Sequence, residues 1–301
     1  MTTQKPALGW IGTGVMGLSM AGHLLKAGYP LTIYNRTKAK AQALLDAGAT
    51  WADSPKAVGA ASNIVFSIVG FPADVEEVLL SPTGALAGLA PGGILCDMTT
   101  SSPALAVRIA EKAAAKGCFG VDAPVTGGDV GAKAGSLSIL VGGEAAAFSR
   151  LQPCLACMGQ NVVHFGPAGC GQKAKLANQV AIAGVMFSTC ESLLFAQEAG
   201  LNVRTWLQTV IPGGAGSIAM TTLGPRIVDG NFAPGFFVEH FLKDLALCLD
   251  ECRRMGLVLP GLSAAEGAYR ALVAQGYGKQ GTQVLVKGLA SLTAKTWNIQ
   301  K

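Results

Sequence analysis

The sequence is poor in charge, and this shortage excludes two kinds of partner. Only 14% of its 301 residues are charged, and the net charge of +5 is spread without any Lys- or Arg-rich block. A nucleic-acid-binding protein would concentrate such residues in a patch, so we expect no nucleic acid partner. No run reaches the ~18–20 consecutive apolar residues that span a bilayer, so we expect no membrane partner. The first residues lack a basic-then-apolar signal, which predicts a cytoplasmic protein.

Metal-binding patterns are missing as well. The eight cysteines stand at irregular spacings, and the pair Cys154 and Cys157 has no second Cys or His pair at the distance of a zinc ribbon. The three histidines, His23, His164 and His240, fall in no zinc-protease or nuclease pattern. We therefore predict no metal site, reduced buried thiols and structural histidines.

Short β-branched runs alternate with helical segments in the first half of the chain. The predicted strands are 8–12, 31–35, 64–69, 94–98, 120–125, 137–142 and 161–166. The predicted helices are 16–28, 39–48, 73–80, 103–117 and 144–159. This alternation is typical of repeated βαβ units and therefore of a parallel sheet with helices on both faces.

The strand signal disappears after residue 166. The predicted segments beyond it are all helical: 174–199, 203–211, 215–230, 236–255, 260–275 and 281–296. We predict the α/β class, with a Rossmann-type doubly wound parallel sheet in residues 1–165 and an all-α domain in residues 166–301. Helix 174–199 would join the two domains, and the cleft between them would hold the active site. The Gly/Pro-rich stretches are predicted to be functional loops: 124–135, 166–171 and 211–217.

A glycine-rich hexapeptide follows the first predicted strand and leads into a predicted helix. It reads Gly12-Thr13-Gly14-Val15-Met16-Gly17. In this strand–turn–helix context, G-x-G-x-x-G predicts a binding site for the pyrophosphate of a dinucleotide coenzyme. The first glycine permits the tight turn, the second lets the backbone approach the diphosphate, and the third lets helix and strand pack closely. A merely structural glycine loop is the alternative.

The end of the second strand indicates which coenzyme binds. An NAD site usually places a carboxylate there for the ribose hydroxyls. Here the sequence has no acid and reads Tyr34-Asn35-Arg36-Thr37-Lys38. An amide, a guanidinium and a hydroxyl suit a 2′-phosphate, so NADP is favoured and NAD is the second choice. An ordinary solvated basic turn is the alternative.

Two further stretches suggest an anionic substrate. Pro124 precedes the paired glycines Gly127 and Gly128, which makes consecutive backbone amides available to an anion. An ordinary strand-ending turn is the alternative there. Lys175 is the last charge before fifteen uncharged positions, and Asn178 lies three positions further on, on the same face of a helix. Such a pair can contact one substrate, whereas the alternative is a solvated lysine at a helix end.

Four ordered motifs together resemble the β-hydroxyacid dehydrogenase family. They are GWIGTGVMGLSMAGHLLKAG, DAPVTGGDVGAKAGSLSILVGG, GPAGCGQKAKLANQ and FLKDLALCLDE. The resemblance covers nearly the whole chain. It implies an enzyme that transfers a hydride to or from a nicotinamide coenzyme.

The resemblance also assigns roles to the substrate side of the site. In the family, the lysine that matches Lys175 is the acid/base, and the asparagine that matches Asn178 lies beside it. The matching segment Thr126, Gly127 and Gly128 would hold the substrate carboxylate, with Thr126 in place of a serine.

The coenzyme side follows from the same resemblance. Lys243 and Asp244 would close the site against substrate and coenzyme. Thr100 would lie near the nicotinamide, and Val69 and Gly70 near the adenosine ribose.

We therefore expect reversible hydride transfer between NADP(H) and a small carboxylate, namely a short β-hydroxyacid or its semialdehyde. Lys175 would give a proton to the substrate oxygen in reduction and take it back in oxidation. One alternative is a reductase of imines or bulky aldehydes on the same scaffold, although imine reductases usually lack this lysine. Another is a non-catalytic NADP-binding regulator. The apolar composition and helical second domain also predict a homodimer or homotetramer.

Overall fold

The computed structural model describes residues 5–298, and the chain divides into two compact units. Unit 1 is Met1–Lys175 and unit 2 is Leu176–Lys301. The predicted domain boundary lies between residues 165 and 166. Each unit has an apolar core of its own, since the buried clusters of unit 1 end at Met158 and the cluster of unit 2 begins at Leu176.

Unit 1 is built on one sheet, nine-stranded in the described residues. Its strands are β1 (Leu8–Ile11), β2 (Leu31–Tyr34), β3 (Thr50–Trp51), β4 (Ile64–Ser67), β5 (Ile94–Asp97), β6 (Phe119–Asp122), β7 (Val125–Thr126), β8 (Leu137–Gly142) and β9 (Gly159–Gly166). Their order is β3-β2-β1-β4-β5-β6-β8-β7, with β9 beside β8. The pairs from β3 to β6 are all parallel. This is the order of a doubly wound sheet, and it confirms the predicted fold class.

Helices cover both faces of this sheet because the strands are apolar on both sides. On β4, Ile64 and Phe66 join one buried cluster, whereas Val65 between them joins the other. The helices are α1 (Val15–Lys26), α2 (Gln42–Asp46), α3 (Pro55–Ala60), α4 (Pro72–Leu80), α5 (Ala85–Gly88), α6 (Pro103–Ala115), α7 (Gly128–Ala134) and α8 (Ala145–Leu155), with a 3₁₀ turn at Lys38–Ala41. Since β1 to β6 are parallel, the loops that follow them meet at one edge of the sheet.

Three features of unit 1 differ from the predicted pattern. Strand β3 has two residues and is too short to leave a periodic signal. Residues 120–125 are not one strand, because β6 ends at Asp122 and β7 pairs antiparallel with β8. The predicted loop 124–135 contains helix α7, in which Asp129 and Lys133 form an ion pair one turn apart.

A 29-residue helix, α9 (Cys170–Glu198), runs from the last residues of unit 1 into unit 2. It begins at Cys170 rather than at the predicted residue 174. By length and composition alone it is long and apolar enough to cross a membrane, since its most apolar 18-residue window has a mean hydropathy of 1.5. Core helices of soluble proteins meet the same criterion. In unit 2, α9 lines the core with Ala183, Met186, Cys190 and Leu193.

The rest of unit 2 is helical, which confirms the predicted all-α composition of the second half. Its helices are α10 (Val203–Val210), α11 (Ile218–Thr222), α12 (Gly224–Val228), α13 (Val238–Met255), α14 (Pro260–Ala274) and α15 (Leu285–Ser291), with a 3₁₀ turn at Thr282–Val284. The predicted helix 215–230 is two short helices, because Pro225 lacks the N–H that would continue α11.

Candidate active site

The glycine loop between β1 and α1 approaches its neighbours too closely for side chains at two positions. Gly12 has a φ of +98°, and a Cβ there would lie 2.1 Å from the carbonyl oxygen of Ile68. A Cβ at Gly17 would lie 2.1 Å from the carbonyl oxygen of Gly12. At Gly14, by contrast, no atom lies within 4 Å of the position that a Cβ would take. The loop is therefore closed at two glycines and open at the third, where a bound group could approach the backbone.

The same loop offers donors to a phosphate. Helix α1 begins at Val15 without an acidic residue in its first turn, so the positive end of its dipole is not neutralised. Thr13 is buried, and its Oγ1 has no hydrogen-bond partner among the described residues. Such a hydroxyl is costly unless something satisfies it. Both features fit the pyrophosphate of a dinucleotide coenzyme.

Asn35 ties the glycine loop to the turn after β2. Its side-chain oxygen accepts a hydrogen bond from the backbone N–H of Thr13 at 2.9 Å. Its Nδ2 donates to the carbonyl oxygen of Thr37 at 2.8 Å. Both ends of this predicted phosphate-binding amide are therefore engaged within the protein. Asn35 supports the shape of the loop.

Two cations stand on the exposed turn beside Asn35. Arg36 Nη1 lies 3.8 Å from Oδ1 of Asp74, and the arginine side chain is 89% exposed. Lys38 Nζ lies 5.0 Å from the centroid of the Trp51 ring, a cation–π distance. Exposed contacts of this kind hold a side chain weakly. The two cations can therefore turn towards an anionic group.

A buried carboxyl, Asp97, ties the ends of β4 and β5 together. Its Oδ1 accepts hydrogen bonds from the hydroxyl of Ser67 at 2.8 Å and from the N–H of Thr99 at 3.2 Å. The Thr99 hydroxyl accepts a hydrogen bond from the N–H of Val69 at 3.0 Å. Burial raises the pKa of Asp97 to about 6, although these hydrogen bonds oppose the rise. Val69 is thus held against the loop after β5.

A second buried carboxyl, Asp122, fastens the start of α9 to the end of β6. Its Oδ1 accepts a hydrogen bond from the N–H of Gly169, and its Oδ2 accepts one from the N–H of Gln172, both at 2.7 Å. Burial raises the pKa of Asp122 to about 6 against these hydrogen bonds, which favour the charged form. A Cβ at Gly171 would lie 2.8 Å from Oδ2 of Asp122, so this close approach requires glycine.

Gln172, in the first turn of α9, is fully buried and reaches the loop after β5. Its Oε1 accepts a hydrogen bond from the N–H of Ser101 at 2.8 Å, and its Nε2 donates to the carbonyl oxygen of Thr99 at 2.7 Å. Thr100 lies between these two anchored residues. Lys175 follows Gln172 by one turn on the same face, with only 6% of its surface exposed. One glutamine thus connects the predicted acid/base with the predicted nicotinamide contact.

The predicted carboxylate-binding segment lies in β7 and at the start of α7. Thr126 is half-buried and lies opposite Ser138 of β8. Gly127 and Gly128 have φ values of +127° and +64°, which glycine adopts at little cost. No atom lies within 4 Å of the Cβ position at Gly128. The backbone is therefore open at this glycine.

In unit 2, polar side chains form a chain from Asn178 to Lys243. Asn178 Nδ2 donates to Oε1 of Gln179 at 2.8 Å, and Gln179 Nε2 donates to Oδ2 of Asp244 at 2.7 Å. The Nζ of Lys243 lies 2.9 Å from Oδ1 of Asp244, whose side chain is 2% exposed. A buried carboxylate needs such partners to be tolerated. Gln179 thus brings together the three residues predicted for the site from this unit.

Three residues of these networks were not predicted: Asp122, Gln172 and Gln179. The two glutamines stand seven positions apart on the face of α9 that carries Lys175. Polar residues that recur at helical spacing within an apolar run of the sequence are the signal that could have identified them. Asp122 has no such signal, because its partners are 47 and 50 positions away.

The cysteines are reduced, and two of the histidines contact backbone carbonyl groups. All eight cysteines are free thiols. The Nε2 of His23 lies 2.9 Å from the carbonyl oxygen of Ala132, and that of His164 lies 2.8 Å from the carbonyl oxygen of Gly143. Within residues 5–298, no group of three His, Cys, Asp or Glu side chains is placed to hold a metal ion.

Two family models match nearly the whole chain. The NAD binding domain of 6-phosphogluconate dehydrogenase matches residues 7–166. The domain described as NAD-binding of NADP-dependent 3-hydroxyisobutyrate dehydrogenase matches residues 169–289.

Relatives match over the same length. An Arabidopsis thaliana protein named "Probable 3-hydroxyisobutyrate dehydrogenase-like 1, mitochondrial" is 53% identical over 97% of this chain and 87% of its own. The 2-hydroxy-3-oxopropionate reductase of Escherichia coli is 35% identical over 94% of this chain and 96% of its own. The crystal structure of a 3-hydroxyisobutyrate dehydrogenase from Salmonella typhimurium has a TM-score of 0.86 and 29% identity, covering 93% of this chain and 99% of its own.

Proposed function

This chain belongs to the β-hydroxyacid dehydrogenase family, and we propose that it transfers a hydride between NADP(H) and a short β-hydroxyacid or its semialdehyde. Family membership makes it an NAD(P)-dependent oxidoreductase that acts on CH–OH groups. The preference for NADP, the size of the acid and the role of Lys175 are our proposals. Relatives named for 3-hydroxyisobutyrate and 2-hydroxy-3-oxopropionate support an acid of this size.

The observation that carries the proposal is the burial of Lys175. Lys175 is only 6% exposed, whereas Lys173, the one other charged residue in the first seven positions of α9, is exposed. Burying an ammonium costs several kcal/mol before its partners compensate. A position that bears this cost is suited to proton transfer away from bulk water.

Each proposed role follows from what the reaction requires. In reduction, the carbonyl oxygen gains negative charge as its carbon is reduced. The nicotinamide, when bound, supplies the hydride in this direction and accepts it in the other. Lys175 Nζ donates a proton to the oxygen and takes it back in oxidation. Asn178, three positions further along α9, holds an oxygen of the substrate without titrating.

The substrate carboxylate is assigned to donors from two segments. Thr126 supplies a hydroxyl, and Gly127 and Gly128 supply backbone N–H groups at a turn that is open on one side. Lys243 supplies a cation, and its ion pair with Asp244 fixes the direction of the ammonium. A site with these donors selects an acid over an uncharged imine or aldehyde.

We propose NADP as the coenzyme, with NAD as the second choice. Arg36, Thr37 and Lys38 supply two cations and a hydroxyl for the 2′-phosphate, and Asn35 fixes the turn that carries them. The remaining coenzyme contacts are assigned to Gly12, Thr13, Gly14, Val15, Met16, Gly17, Val69, Gly70, Thr100, Lys243 and Asp244.

Replacing Lys175 with methionine tests the acid/base role. Lys175→Met should lower kcat by about 10²–10⁴-fold, the usual contribution of a general acid, while coenzyme affinity stays near the wild-type value. Lys173→Met is the matched control, because Lys173 is an exposed lysine on the same helix. Full turnover in Lys175→Met, with normal coenzyme binding, would refute the assignment.

A substrate screen separates the proposal from its alternatives. Hydroxyacids, semialdehydes, cyclic imines and uncharged aldehydes are offered with NADP and NAD in parallel, and the absorbance of the reduced nicotinamide is followed. Turnover restricted to carboxylates and fastest with NADP supports the proposal. Turnover of imines identifies an imine reductase. Tight NADP binding without turnover of any compound identifies a regulator.

We further propose a cytoplasmic homodimer or homotetramer without a nucleic acid or membrane partner. The exposed positions of α9 include the small residues Ala177, Ala181 and Gly184, together with Phe195, which is 75% exposed. Such a face suits the packing of a second helix. The free thiols suit a reducing compartment. Sedimentation velocity measures the assembly, and cell fractionation measures the location.

A further inference from the structure

The first turn of α9 is fixed from two sides by two buried side chains, Asp122 and Gln172, which we call the α9 anchor. Asp122 at the end of β6 accepts hydrogen bonds from the N–H groups of Gly169 and Gln172. The side chain of Gln172 binds the backbone of the loop after β5 at Thr99 and Ser101. All of these groups belong to unit 1.

The contribution of Gln172 exceeds that of a helix cap. Asp122 alone already satisfies two backbone N–H groups at the start of α9. The amide of Gln172 instead bonds to backbone that is 71 and 73 positions away. It binds both sides of Thr100, so it fixes one residue of the loop between two hydrogen bonds.

The packing around the α9 anchor leaves no slack. A Cβ at Gly171 would lie 2.4 Å from the carbonyl oxygen of Leu140 and 2.8 Å from Oδ2 of Asp122. A Cβ at Gly142 would lie 2.6 Å from the nitrogen of Gly171. The first turn of α9 therefore packs closely against β8 and the end of β6, and neither glycine leaves room for a side chain.

We propose that the α9 anchor positions Lys175 for proton transfer, with Gln172 as the main positioning residue. Lys175 stands three positions after Gln172, on the same face of α9. Fixing Gln172 to residues 99 and 101 therefore fixes the distance between the backbone of Lys175 and the loop that carries Thr100. This inference rests on the proposed function, in which Lys175 is the acid/base and Thr100 contacts the nicotinamide. A misplacement of about 1 Å is enough to cost about 10²-fold in rate.

The test uses the full-length enzyme with Gln172→Met, which keeps the length of the side chain and removes both hydrogen bonds. The expected result is a fall in kcat of about 10²-fold with coenzyme affinity near the wild-type value. Gln283→Met is the matched control. Gln283 is a buried glutamine in unit 2 whose Nε2 donates to the carbonyl oxygens of Asn231 and Ala233, so its loss reports the general cost of such a change.

A double-mutant comparison separates positioning from a structural role. If Gln172 acts through Lys175, adding Gln172→Met to Lys175→Met should cause no further loss of the residual rate. Asp122→Asn, which retains one acceptor oxygen, should give a smaller fall in kcat and serves as the test if Gln172→Met does not fold.

The outcomes distinguish this inference from the proposed function. Two results overturn the positioning role alone. One is a kcat for Gln172→Met that equals the kcat of Gln283→Met. The other is a loss of rate on adding Gln172→Met that is the same in the wild type and in Lys175→Met. Full turnover in Lys175→Met overturns the proposed function, and the positioning role with it, whatever Gln172→Met shows.

Discussion

Raising the pH from about 4 to about 7 should lower the stability of unit 1, because two buried carboxyls must then lose their protons in the folded protein. Burial raises the pKa of both Asp97 and Asp122 from the ordinary value of 3.8 to about 6. The unfolded chain releases these protons near 3.8. Between the two values the folded state binds more protons than the unfolded state. The stabilisation is therefore complete at a pH below the unfolded-state pKa of 3.8, and it is lost as the pH rises through the folded-state pKa of about 6.

The expected change is large for a single domain. A rise of about 2 units in the pKa of a carboxyl corresponds to about 3 kcal/mol in the free energy of unfolding. The two contributions are coupled, since the charge of Asp122 is one cause of the raised pKa of Asp97. Asp122→Asn removes one ionisation and eases the other. It should therefore remove at least half of the fall in stability between about pH 4 and pH 7.

The assay is hydrogen exchange across a urea series at several pH values, measured on peptides that contain β5 and β6. These strands lie in unit 1, so the signal is not mixed with the unfolding of the second core. The slope against pH is compared rather than the stability at one pH, because Asp122→Asn also loses an acceptor for the N–H of Gly169 or Gln172. Asp46→Asn is the control, because Asp46 is an exposed carboxyl of the same unit.

Two results would contradict this reasoning. One is an equal pH slope in the wild type and in Asp122→Asn. The other is a stability that rises between about pH 4 and pH 7, which would mean that these carboxyls are stabilised as anions.

Four other outcomes can be checked directly. Gly14→Ala should leave the Tm of the coenzyme-free protein unchanged, because its Cβ meets no atom within 4 Å. The same variant should bind the coenzyme about tenfold more weakly in a fluorescence titration. An unchanged affinity would mean that the pyrophosphate binds elsewhere. Gly17→Ala should lower the Tm itself in calorimetry, because its Cβ would lie 2.1 Å from a backbone oxygen. Arg36→Ala should weaken NADP binding by about 10- to 100-fold, the worth of one charge-assisted hydrogen bond, and should barely change NAD binding. Dialysis against EDTA should leave turnover intact, since residues 5–298 contain no cluster suited to a metal ion.

The parallel part of the sheet could be predicted because its pattern is local. Strands β1, β2, β4 and β5 begin at the predicted residues and end one or two positions earlier. Each is a short run of mainly apolar residues between turn residues, which is the signal of a strand, and β1, β4 and β5 are buried on both faces. Strand β3 and helix α7 gave no such signal. The first has only two residues, and the second is a seven-residue helix with four glycines within or beside it.

The candidate site divides in the same way. The glycine loop could be predicted because its spacing and the preceding strand are adjacent in sequence. The residues that support Lys175 could not be predicted, because Asp122 and Gln172 form hydrogen bonds with backbone groups 47 to 73 positions away. Long-range hydrogen bonds of this kind depend on the order of the strands, which one sequence does not specify.

The double role of the amide at position 35 bears on any attempt to change coenzyme preference. An aspartate there would supply the carboxylate typical of NAD enzymes, and one of its oxygens could still accept the hydrogen bond from Thr13. It could not donate to the carbonyl oxygen of Thr37 as the asparagine does. A single exchange aimed at specificity would thus also loosen the backbone next to it, and a redesign would need a second substitution that restores a donor to that carbonyl.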